Sequence, residues 1–168
     1  MSSIQEQIKA YLDASPTVTA LATGKIWTRP LKRGETPPVG TSFTGDGDPT
    51  PEAFDDITGW VKPSVVISQR IDVGAYYGLI RASGKYMILS PTLGYYAPPT
   101  DQQGEILMQM SLAVTKTLNG KTIQIAPGEG GTIVIPHNVM GSVEIPEMPN
   151  SGVVMIERLE IATVFDRT

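Results

Sequence analysis

In the stretch DQQGEILMQMSLAVTKTLN, Asp101–Asn119, apolar residues Ile106, Met110, Val114 and Leu118 recur every fourth position, with Leu107 and Ser111 beside them. That spacing puts them on one stripe about 100° wide and predicts a long amphipathic helix facing a core. Thr100 or Asp101 is positioned to cap its start, and Asn119-Gly120 to stop it, because glycine accepts the left-handed conformation of a C-terminal cap. The opposite face, with Gln102, Glu105, Gln109 and Thr117, reads as polar. A shorter helix is predicted over Ser3–Asp13, where Ile4, Ile8, Tyr11 and Leu12 fall at i, i+4, i+7 and i+8. Ser15-Pro16 starts one more brief helical turn, with Ser15 as N-cap and Pro16 where its missing N–H costs nothing. Val18 and Leu21 anchor that turn and Gly24 ends it.

Period-two and β-branched runs predict the strands. Ser64–Arg70 (SVVISQR) is a central candidate; Lys25–Arg29, Lys85–Ser90, Lys121–Ile125, Gly131–Pro136 and Ser142–Ile145 are others, and Leu93–Ala97 is a short extended piece leading into the long helix. Gly152–Phe165 closes the chain: Leu159, Ile161, Thr163 and Phe165 share one face, and Arg158, Glu160, Ala162 and Val164 the other. Two helices and six or seven strands, segregated along the chain, predict an α+β fold. It is one domain over 1–168, with a mostly antiparallel or mixed β-sheet and the long helix packed across a face.

Two segments break the pattern. Leu31–Trp60 is full of glycine and proline and poor in core residues, and predicts an extended loop or arm over 31–60 with a brief helical turn at Pro51–Ile57. A second, hairpin-like excursion is expected over 127–150. Asp46, Asp48, Asp55 and Asp56 raise the question of calcium, but GDGDPTPEAFDD lacks the spacing and the twelfth-position glutamate of an EF-hand loop. A solvated acidic loop is the expectation.

Composition changes the picture mainly by exclusion. With no cysteine, disulfides and thiolate metal sites are out. Thirteen basic and 17 acidic residues give a net charge of −4, against a general nucleic-acid binder. The charged fraction of 18% is below the ~25% of an average domain, which suits a surface largely occupied by contacts. The opening MSSIQEQIKAYLD lacks the apolar core of a signal peptide, and no run approaches the ~20 apolar residues of a membrane span. A soluble, cytosolically made chain is expected. His137 is the one histidine, so a histidine cluster cannot form within one chain. Neither Gly128-Glu129-Gly130-Gly131 nor Gly120-Lys121-Thr122 completes a phosphate-binding loop, and both read as turns. GxSxG is absent, and of the paired carboxylates, Asp55-Asp56 and Glu157 with Glu160, the latter fall on opposite faces of a regular strand and neither specifies a glycosidase-like pair, so no enzyme, cofactor or metal is expected.

Aromatic residues fall among breakers, where a protein–protein interface can use them. Trp27, Phe43, Phe54, Trp60, Tyr76, Tyr77, Tyr95 and Tyr96, with His137, are the candidate interface residues. A stacking platform for single-stranded nucleic acid is disfavoured, because adjacent tyrosines point to opposite faces of a strand.

The order of elements resembles that of the tail-terminator or minor tail proteins of tailed bacteriophages. The likeness rests on the helix Ile4–Leu12 and the phrase SPTVTALATGKIW at Ser15–Trp27, in which Pro16, Val18, Leu21, Gly24 and Ile26 stand at the matching positions. It resumes at Pro63–Arg70, Lys85–Ser90, Asp101–Leu118 and the closing strand Glu157–Asp166. The resemblance implies a subunit of a homo-hexameric ring that caps the tail-tube protein and joins the tail to a neck or head-completion protein. The long 31–60 segment and the 127–150 excursion depart from a simple member, and are expected to carry ring or tube contacts. On that expectation, deleting Thr41–Asp56 leaves a folded subunit that assembles poorly. The nearest rival is a head-completion, stopper or adaptor protein beneath the portal; a rival of another class is a small soluble nucleic-acid- or ligand-binding module.

Overall fold

The computed structural model describes residues 3–33, 49–68, 80–81, 84–89, 91–126, 129–134, 142–144 and 152–165. Its helices are α1 (Ile4–Asp13), α2 (Pro16–Leu21) and α3 (Glu105–Leu118), with a 3-10 turn at Pro51–Ala53. Its strands are β1 (Ile26–Trp27), β2 (Ser64–Ser68), β3 (Ile80–Arg81), β4 (Gly84–Leu89), β5 (Thr92–Ala97), β6 (Thr122–Ala126), β7 (Glu129–Val134), β8 (Ser142–Glu144), β9 (Val153–Arg158) and β10 (Glu160–Phe165). The class is α+β, as the sequence predicts. Its strands form two five-stranded sheets rather than one, in the orders β1-β2-β5-β9-β8 and β3-β4-β10-β7-β6. All described pairings are antiparallel except β1 with β2.

Two long strands explain the second sheet. β4 is followed by β5 with Pro91 just ahead of it, and β9 runs into β10 across Leu159 alone. β5 pairs with β9 in one sheet and β4 with β10 in the other. The two bends meet, since the Leu159 N–H donates to the Pro91 carbonyl at 2.9 Å. Proline cannot donate to a ladder, so it marks the point where the ribbon leaves one sheet for the other. Leu159 turns fully inward at the same level.

Helices cover one face of the first sheet. α3 lies against α1, α2 and β5. Ile8 and Leu12 of α1, Val18 of α2 and Leu107, Met110, Val114 and Leu118 of α3 meet Val65, Ile67, Leu93 and Tyr95 of the sheet in one core. Each fully buried side chain of this size contributes about 1.5–3 kcal/mol. Ile123 and Ile133 extend the core to the second sheet.

Local chemistry sets the helix ends. Ser3 and Glu6 form a capping box: Glu6 N–H donates to Ser3 Oγ at 3.2 Å and Ser3 N–H to Glu6 Oε2 at 3.1 Å. Ser15 caps α2 by accepting from Val18 N–H, with Pro16 in the first turn. α2 is thus a complete short helix, a third one beyond the predicted two. α3 starts at Glu105, later than predicted, because Gly104 takes the left-handed cap position at φ 71. Asp101 still serves that end from upstream: its buried carboxylate accepts from Ile106 and Leu107 N–H groups, each at 3.2 Å. Gly120, at φ 80, follows the C-terminal cap Asn119.

Three side chains of α1 close exposed sheet edges. Gln7 donates to the Gln124 carbonyl at 2.7 Å and accepts from Gln124 N–H at 2.8 Å, standing in for a strand beside β6. Tyr11 donates to the Thr122 carbonyl, and Gln5 to the Ile67 carbonyl of β2 beyond the reach of short β1. Unpaired strand edges invite association, and these bonds remove two of them.

Of the run Gly128–Gly131 read as a turn, Gly128 lies outside the described residues and the other three are strand rather than turn. Glu129–Gly131 belongs to β7 and pairs with β6, beside a register shift between Gln124 and Ala126. Glycine in a strand marks such irregularities.

Candidate interaction surface

The breaker-rich segment is folded down at both described ends. Leu31, Ala53, Phe54 and Val61 pack on Val66 of β2, with Trp27 and Tyr96 against them, and bury the face of the first sheet that the helices leave open. β2 is therefore buried on both faces. Backbone pairing holds the layer: Thr50 N–H donates to Lys32 O and Lys62 N–H to Ala53 O, both at 2.8 Å. Lys32 N–H in turn donates to the buried Thr50 hydroxyl at 3.0 Å. Gly152 enters beneath this layer, where a Cβ would stand 2.2 Å from Val61 Cγ1 and 2.8 Å from the Ala97 carbonyl. Deleting Thr41–Asp56 would remove Thr50, Ala53 and Phe54 from this core, so that variant does not isolate an assembly arm.

From the packed layer projects a rigid turn over 55–60. Asp55 N–H donates to the Trp60 carbonyl and Gly59 N–H to the Asp55 carbonyl, both at 2.8 Å. The Asp55 carboxylate accepts from Ile57 and Thr58 N–H, each at 2.9 Å. Those amides, Thr58 first and then Ile57, hold the Asp55 carboxyl below the usual carboxylate range. Arg33 braces the turn through the Gly59 carbonyl at 2.6 Å and lies over the Phe54 ring at 5.5 Å. The turn holds two apolar side chains toward solvent, Ile57 at 95% exposure and Trp60 at 37%.

Beside short β1 lies a cleft of about 600 Å³, with Lys9, Asp13, Lys25, Trp27, Arg29 and Glu52 in its wall. Its charges are mostly matched, Lys9 with Asp13 and Lys25 with Glu52. Arg29 stacks 5.0 Å over Trp27 and donates to the Pro49 carbonyl at 3.2 Å. Lys25 holds a left-handed φ of 71, strained for a side chain of its kind. The cleft gathers no nucleophile–base pair, and among the described residues no group of three His, Asp or Glu side chains could hold a metal. No helix of the described residues is long and apolar enough to cross a membrane.

The predicted interface residues therefore divide. Trp60 is exposed; Trp27 and Tyr96 are half-buried. Phe54 is buried under the packed layer and Tyr95 is fully buried in the helix-side core, so neither offers a free surface in the folded chain. Strand alternation is the reason: Tyr95 turns to the helices and Tyr96 to the opposite face. Phe43, Tyr76, Tyr77 and His137 lie outside the described residues, as do Asp46 and Asp48. Sequence reading missed Ile57, whose signal was the Asp-x-x-Thr-Gly turn around it. It also missed Met108 and Leu112 on α3, which are 53% and 56% exposed on the side read as polar.

No family model matches this sequence, and no curated protein matches it. The fold does have a counterpart among solved structures. A chain in the virion of a native gene transfer agent (GTA) particle is similar to 97% of this chain over 96% of its own length. The TM-score is 0.58 and the sequence identity 10%, so the two share a fold.

Proposed function

We propose that this chain is a virion structural protein that associates with itself into a closed ring. In the fuller reading it is a tail terminator, a ring of six that caps the tail tube and joins it to the neck or head. The observation that carries the proposal is the end-to-end likeness in fold to a chain of a gene transfer agent virion. The sequence resemblance in Ser15–Trp27 points the same way. The polar side chains of the described surface support it too, since Gln5, Gln7 and Asp55 bond to the chain's own backbone.

On this reading the protein has no catalytic part, cofactor or metal. Its partners are other copies, the tail-tube protein and a neck or head-completion protein, in a particle assembled in the host cytoplasm. Ile57 and Trp60 are the contact residues, because a hydrogen-bonded turn presents them with little ordering left to lose on association.

Fractionating particle intermediates tests the assignment. Association with tails made without heads is expected. Finding the chain only on heads made without tails would reassign it to the head side of the neck, as a completion, stopper or adaptor protein. Absence from both would end the virion reading. An Ile57→Asp/Trp60→Ser variant should keep its circular dichroism spectrum and fail to incorporate; unimpaired incorporation would remove the 55–60 turn from the interface.

A further inference from the structure

The solvent stripe of α3 carries a pattern that does not come from the core. Glu105, Met108, Gln109, Leu112 and Lys116 are all exposed. Eleven residues make about three helical turns with roughly 20° left over, so Glu105 and Lys116 lie almost in line, about 16 Å apart along the axis. Neither belongs to an ion pair among the described residues. Between them sit Met108 and Leu112, one turn apart. The order along the stripe is acid, apolar, apolar, base, and it becomes its own complement when the helix is turned end for end.

We propose that α3 docks against α3 of a second copy, antiparallel, about a two-fold axis level with Met110 and Ser111. In that arrangement Glu105 of each chain faces the partner's Lys116, and Met108 meets the partner's Leu112 within about one residue's rise. The occupant is a second copy because this sequence itself supplies both the charges and the apolar pair. The contact is independent of the proposed tail role and uses a surface remote in sequence from the 55–60 turn. One three-turn stripe per chain buries less than the ~1,200 Å² of a standard interface, so the contact belongs to the weak, transient class.

Sedimentation equilibrium of the intact chain between about 10 μM and 1 mM tests it. The expected weight-average mass rises with concentration from 18.0 kDa, with a dimer as the first species formed. Glu105→Lys or Lys116→Glu alone turns both symmetric pairs into repulsions and should weaken association about tenfold. The double variant Glu105→Lys/Lys116→Glu should restore it, and Leu112→Glu should abolish it, with circular dichroism unchanged throughout. A chain that stays monomeric across this range, a double variant no better than the singles, or association indifferent to all four variants would each overturn the proposal. Indifference together with larger closed assemblies would assign self-association to a different surface.

Discussion

The two faces of the first sheet are buried by different means. On one side three amphipathic helices converge, and 18 buried side chains form a single cluster. On the other, two irregular stretches, 31–33 and 49–62, lie over Val66 with four buried apolar residues and a set of backbone hydrogen bonds. The helical side is deep and continuous. The irregular side is thin, and holds its shape through Thr50, Asp55 and the bonds of its own backbone. A surface built that way can present Ile57 and Trp60 rigidly while contributing little to the stability of the whole, which makes it the side suited to contact.

The largest effect should come from the helical side. Leu118 is fully buried, and Leu118→Ala should cost about 3 kcal/mol in urea denaturation. Next comes Gly152, just ahead of β9 and beneath the irregular layer. Gly152→Ala forces a methyl against Val61 and the Ala97 carbonyl, and should cost about 2 kcal/mol, because backbone cannot yield as a flexible side chain does. Phe54→Ala should cost less globally and act locally. Hydrogen exchange should speed up at the Asp55 and Lys62 amides while α3 keeps its protection. Equal loss of protection in α3 would show that the two sides form one cooperative unit, and the contrast would fail.

The smallest effect concerns pH. Burial, with the Glu157 carboxylate nearby, pushes the Tyr95 phenol well above its ordinary value of 10.0. The raised value means that the folded state holds its proton after the unfolded chain has released it. Tyr95 therefore contributes stability that is present below about pH 10 and declines as pH rises beyond it. Tyr95→Phe should change stability by less than about 1 kcal/mol at neutral pH, since the buried hydroxyl lacks a well-formed hydrogen bond. It should also flatten the decline between pH 9.5 and 11.5 relative to the parent.

The same contrast governs what could be read in advance. Repeats at 3.6 and 2 residues exposed α1, α3 and the closing strand, because burial on one face leaves a period. A buried face covered by irregular chain leaves none, so Leu31, Ala53 and Phe54 read as part of a loose arm. The second sheet was hidden for a related reason. Leu159 bends the closing strand without interrupting its apolar pattern, while Pro91 reads as the end of Lys85–Ser90, and only pairing across distant sequence reveals that both ribbons serve two sheets. Among the candidate contact residues, composition found Trp60 but could not tell it from Tyr95, since alternation fixes opposite faces for neighbours without saying which is inward. Met108 and Leu112 are not legible because the stripe Ile106, Met110, Val114 and Leu118 alone suffices for a helix with one buried face.

Electron microscopy of the purified chain, alone and with tube ends, tests the central claim most directly. The account predicts closed rings of six copies, seated as a single layer on the tube end and lost in the Ile57→Asp/Trp60→Ser variant. A well-folded chain that forms no ring at any concentration and leaves tube ends bare would contradict it.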